Sequence, residues 1–146
     1  PQFAAWLKAA PKDVVVQRVP VRFRDDFEAQ QRAYYVFESL NMVDAMHGKL
    51  FHAIHTERQQ LNTSQALAAW ANKNGLPEKK FLDTFNSFGV ASKARRATQL
   101  QDAFKVQGVP ALGIAGRFYT DGSLTQTMDR ALQVADYLIG EVRRGR

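Results

Sequence analysis

Between residues 25 and 106 the apolar residues of this chain recur only at helical spacing, and strand-like runs lie on either side of that block. This arrangement constrains the fold more than any other feature. A period near 3.6 residues gives each helix one apolar stripe, while short β-branched or aromatic runs suit a pleated, half-buried surface. Strands at both ends with helices between them imply one α/β layer domain carrying a helical insertion.

Element by element, Phe3, Trp6, Leu7 and Ala10 mark the end of an amphipathic helix that Pro11 stops. "DVVVQRVPVRF", residues 13–23, reads as a strand, with Pro20 marking a strand end or an edge. Asp25 or Asp26 can cap a helix carrying Phe27, Ala33, Tyr34, Phe37 and Leu40. A second helix holds Met46, Leu50, Phe51 and Ile54. A third runs from Thr63 to Asn74, with Gly75 as its left-handed stop. Pro77 opens a fourth, ending by Gly89, and a longer polar helix covers residues 92–106. The chain then reads as strand "PALGIA", a turn at Ala115-Gly116, strand "RFYT", a turn at Asp121-Gly122 and a helix over 125–143. Pro110 stands directly ahead of the first of these strands. A proline is tolerated at a strand's first residue, and an X-Pro bond is where a cis peptide costs least, so a cis Val109-Pro110 bond is permitted.

A 45% hydrophobic content over 146 residues supports a packed core, and no apolar run approaches the length of a membrane span. The chain opens without Met and already in helical spacing, with no basic-then-apolar signal segment. The expectation is a trimmed or partial chain, with a further strand ahead of residue 1 completing the sheet. There is no cysteine, which excludes disulfides, thiolate metal sites and thiol catalysis within these residues.

The net charge is +6, dispersed except at Lys93, Arg95 and Arg96 and in the terminal "RRGR". A solvated helix face and a tail account for both; the sharper alternative is a basic helical nucleic-acid-binding domain. His47, His52 and His55 share one helical region. His52 and His55 are three apart with Glu57 after them, which is not the i, i+4 zinc spacing, so no metal is expected. Phosphate-cradling glycine loops and a serine nucleophile elbow are absent from the sequence. The aromatics at helical spacing read as core.

"GVPALGIAGRFYT" resembles the cis-proline loop and following hairpin of DsbA-type thiol:disulfide oxidoreductases. "LKAAPKDVVVQRVPVRF" is similar to that family's helix end and second strand, residues 33–88 to its inserted helices, and "ARRATQLQDAFKVQGVPA" to its connecting helix. The resemblance implies a thioredoxin-like α/β fold with an inserted all-α helical domain, the N-terminal strands and the start of the first helix lying outside the chain. It divides the chain into residues 1–24 and 92–146 of the thioredoxin-like domain and an insert over 25–91.

It further implies a periplasmic enzyme that donates disulfides to folding proteins, holding extended segments of reduced or unfolded substrates and recharged by a membrane partner, without cofactor, metal or nucleic acid. The family's C-x-x-C motif is not in this sequence. What the resemblance carries over is support for that motif. Pro110 would pack beside the sulfurs, Val109 would offer its backbone to substrate, Gly108 would precede them in the loop, and Arg18 would lie near a buried acid beneath the site. The alternative is a cysteine-free fragment that binds peptides without redox activity.

Overall fold

The computed structural model describes residues 2–24, 27–106, 111–121 and 127–145. They form two compact units, one of Val19–Gln101 and one of Pro1–Arg18 with Asp102–Arg146.

The first unit is helical: α2 (Glu28–Ser39), α3 (Val43–His55), α4 (Ser64–Lys73), α5 (Glu78–Phe85) and most of α6 (Phe88–Ala103). The boundaries follow local chemistry. Thr63 caps α4, its Oγ1 accepting from the Ala66 N–H at 3.1 Å, and Gly75 at φ +97° ends the turn after it. Pro77, as expected, stands at the head of α5. Helix α6 begins earlier than the apolar spacing suggests, because Ser87 Oγ accepts from the Val90 N–H at 3.3 Å and caps it. Gly89 therefore lies inside α6 and does not terminate α5. At its other end α6 stops at Ala103, short of Val106. The next turn closes from the Lys105 N–H to the Asp102 carbonyl at 3.1 Å, with Lys105 left-handed at φ +54°.

Phe37 and Phe81, both fully buried, sit 6.3 Å apart at the centre of this unit, with Trp70 6.4 Å from Phe37. Met46, Leu67, Leu76 and Val90 complete the packing. Burying a phenylalanine stabilises a fold by about 1.5–3 kcal/mol, so this cluster carries much of the unit's stability. At its margin, burial foremost, then the charge of Glu38 and the neighbouring Tyr34, push the Tyr35 phenol up to about 12.

The second unit holds α1 (Gln2–Ala9), the antiparallel hairpin of β1 (Ala111–Ile114) and β2 (Phe118–Asp121), and α7 (Met128–Arg143). Its register pairs Ala111 with Asp121 and Ile114 with Phe118. Helix α7 packs against both strands and against α1, burying Ala131, Leu132 and Ala135. Thr127 caps α7, accepting from the Arg130 N–H at 3.1 Å. The Trp6 indole donates to Asp136 at 2.8 Å, and Arg143 Nε donates to Asp13 at 3.0 Å, so α7 holds both ends of the N-terminal segment. Among the described residues no helix is long and apolar enough to cross a membrane.

The strand expected over residues 13–23 is corrected by the structure, which gives that segment no ladder. A strand exists by pairing, and among the described residues nothing pairs with it. Val15 is 85% exposed. Further along, side-chain amides take the place of a neighbouring strand. Gln101 is bidentate to Arg22, its Oε1 accepting from the Arg22 N–H at 2.7 Å and its Nε2 donating to the Arg22 carbonyl at 3.2 Å. Gln31 Nε2 donates to the Pro20 carbonyl at 3.2 Å and to Thr98 Oγ1 at 3.1 Å. Both glutamines are buried, where an unpaired amide is costly, and here each is answered.

Candidate functional site

Strand β1 opens at Ala111, immediately after the proline of the expected loop. Gly108, Val109 and Pro110 themselves lie outside the described residues. The structure does show how the chain is fixed on either side of them. On the upstream side the left-handed Lys105 turns the backbone out of α6. Phe104, just before it, lays its ring against β1. A Cβ built on Gly113 would stand 3.0 Å from Phe104 Cζ, a tight contact to which the ring would have to yield by a few tenths of an ångström, and Tyr119 on β2 has its ring 6.4 Å from that of Phe104. A glycine inside a strand marks a close approach, and here the approaching group is the residue that ends the connecting helix.

On the downstream side the hairpin turn closes from the Arg117 N–H to the Ile114 carbonyl at 3.0 Å. Its central residues Ala115 and Gly116 are both left-handed, at φ +55° and +69°. The end of α6 and the hairpin are thus each fixed by backbone geometry, with one ring between them. Among the described residues β1 pairs with β2 alone.

Arg18 is exposed, in the segment that lacks a ladder. Among the described residues no hydrogen bond or ion pair ties it down. The other basic groups that drew attention are partly answered by acids: Lys93 meets Glu38 at 2.9 Å, and Arg144 meets Glu141 at 2.6 Å, where its hydrogen bond holds the Glu141 carboxyl below its ordinary value. The histidines do not converge. His47 and His55 flank Phe51, with ring centroids 6.3 and 4.3 Å away, while His52 turns to Glu57 at 3.2 Å. No group of three or more metal-ligating side chains is found among the described residues.

Sequence reasoning missed Phe104, Gly113 and the two glutamines. Gly113 had a readable signal, as a glycine within a strand. Gln31 and Gln101 had none, since a buried glutamine on a polar helix looks like any surface one.

Against known proteins, the family profile described as a DSBA-like thioredoxin domain matches residues 8–133. The chain belongs to the DsbA-like thioredoxin family. The thiol:disulfide interchange protein DsbA of Bordetella parapertussis is 38% identical over 145 residues, covering 99% of this chain and 69% of the relative. The crystal structure of Pseudomonas aeruginosa DsbA superposes with a TM-score of 0.91 at 30% identity, over 99% of this chain and 76% of that one. DsbA from Xylella fastidiosa gives 0.87 at 25% identity, over 98% and 76%.

The fold is therefore the thioredoxin-like DsbA fold with its helical part, as the loop and helix pattern implied. The activity that goes with it is thiol:disulfide oxidoreduction. With no cysteine, these 146 residues are inactive by themselves in that chemistry.

Proposed function

We propose that these residues form the substrate-holding body of a periplasmic disulfide donor whose redox-active cysteine pair comes from outside the 146 residues. The observation that supports this reading is that β1 starts directly after Pro110, so the loop expected to face the substrate leads straight into the paired hairpin. Main-chain groups offered just ahead of that strand can pair with an extended peptide, so affinity does not depend on one substrate sequence. That suits an enzyme acting on many unfolded proteins.

Val109, just ahead of β1, offers its N–H and C=O to the peptide, and Pro110 packs beside the sulfurs. Proline has no N–H and no nucleophile, so it shields the disulfide without competing for it. Gly108 lets the backbone enter the loop, and Arg18 supplies positive charge beneath the site. In the reaction the enzyme disulfide takes two electrons and two protons from the substrate dithiol, which becomes a disulfide. A membrane oxidant then withdraws the electron pair. A thiolate at a helix N-terminus is stabilised by the helix dipole, which makes the reduced enzyme a good leaving state and its disulfide oxidising.

The test is oxidation of a reduced, unfolded protein. The complete protein with its cysteine pair is expected to form disulfides stoichiometrically, Pro110→Ala to slow the step while the fold is retained, and the cysteine-free 146 residues to transfer nothing. Peptide binding by a complete protein that has no cysteine pair, and so no transfer, would replace this reading with a pure peptide-holding role.

A further inference from the structure

The helical unit carries a cleft of about 520 Å³ that the thiol chemistry does not use. It lies between α3, α4 and the segment joining them, within the size range of small-molecule sites. Trp70, only 7% exposed, forms part of its wall. Gly48 borders it, and a Cβ built there meets nothing within 4 Å, so the missing side chain keeps the space open.

Its charges are unevenly answered. Glu57 is the only acid of the lining, and its two oxygens are engaged within the rim, by His52 Nδ1 at 3.2 Å and by Gln59 Nε2 at 3.4 Å. Lys49 from α3 and Lys73 from α4 have no ion pair among the described residues.

We propose that this cleft binds a small dicarboxylate, one carboxylate on Lys49, the other on Lys73, with the carbon chain over Trp70. Two ammonium groups supplied by two different helices suit a ligand with two separated charges better than one compact anion. The indole suits an apolar spacer. The acid that would repel such a ligand has both oxygens turned to His52 and Gln59 within the rim.

Heteronuclear NMR of the complete protein with glutarate as probe tests the assignment. Saturable shifts are expected at the Gly48 amide and the Trp70 indole N–H. The Trp6 indole, bonded to Asp136 in the other unit, serves as an internal reference that stays still. Butyrate, with one carboxylate, should bind about tenfold more weakly, and Lys49→Gln with Lys73→Gln should weaken glutarate by about a hundredfold, since a charged hydrogen bond is worth roughly one decade or more in affinity. Gly48→Leu, which fills the cleft without changing charge, should abolish the shifts. Equal binding of butyrate, retained affinity in either variant, or shifts of Trp6 and Trp70 together would overturn the proposal.

Discussion

The helical unit and the hairpin unit solve the problem of stability differently. The helical unit closes on itself: Phe37, Phe81, Met46, Leu67, Leu76 and Val90 are all fully or almost fully buried, and even its chain entry at Pro20–Arg22 is satisfied by glutamine side chains. Among the described residues of the hairpin unit the fully or nearly buried apolar ones are Ala131, Leu132 and Ala135, and its two strands are four residues each. The second edge of β1 and the segment at Val14–Val16 have no ladder partner among the described residues. The unit that bears the proposed chemistry thus shows, among the described residues, the smaller apolar core.

The largest expected effect breaks the comparison from the helical side. Phe37→Ala removes a fully buried ring that contacts both Phe81 and Trp70, and should cost about 3–5 kcal/mol in denaturant unfolding. Its amide-exchange signature should be a loss of protection across α2, α4 and α5. A loss no greater than about 1 kcal/mol, within the range of ordinary surface substitutions, would mean that the helical unit does not rest on this cluster.

Next in size is Gln101→Leu. The substitution leaves the Arg22 N–H and C=O without their partner, at a cost of about 1–3 kcal/mol for a buried group left unpaired. Gln101→Glu keeps an acceptor for the N–H but loses the donor to the carbonyl, so it should fall between wild type and Gln101→Leu. If Gln101→Leu were neutral, the chain at Pro20–Arg22 would be held by something other than these amides, and the claim that the helical unit satisfies its own entry would fail.

How legible this was in the sequence differs between the two units for physical reasons. Helix positions follow from short-range chemistry, so Thr63, Gly75 and Pro77 could be read directly as cap, stop and start. Ser87 could have been read the same way, and overlooking it displaced the start of α6. The strand expected at residues 13–23 fails because a strand is a relation between two segments; valine content states a preference, and no described neighbour fulfils it. The family and its activity class were legible through the loop and the order of the helices. The geometry around the loop was not, because Phe104 on Gly113 is a contact between a helix end and a strand that no spacing rule encodes.

The smallest effect sharpens the comparison from the other side. Ala115 holds φ +55°, a region where a Cβ costs about 1 kcal/mol and a glycine nothing. Ala115→Gly relieves that strain but widens the unfolded ensemble, which takes back part of the gain. The net expectation is a stabilisation of up to about 1 kcal/mol, felt locally. It should appear as slower exchange of the Arg117 amide, which closes the turn onto Ile114, with no change at amides of the helical core. A unit held by few contacts responds to a local gain of this size, whereas one with a large core would absorb it unnoticed. Slowed exchange confined to the hairpin supports that view of the site-bearing unit. Equal slowing at Phe37 and Phe81 would show instead that the two units unfold as one, and that the thin packing of the hairpin carries no separate weakness.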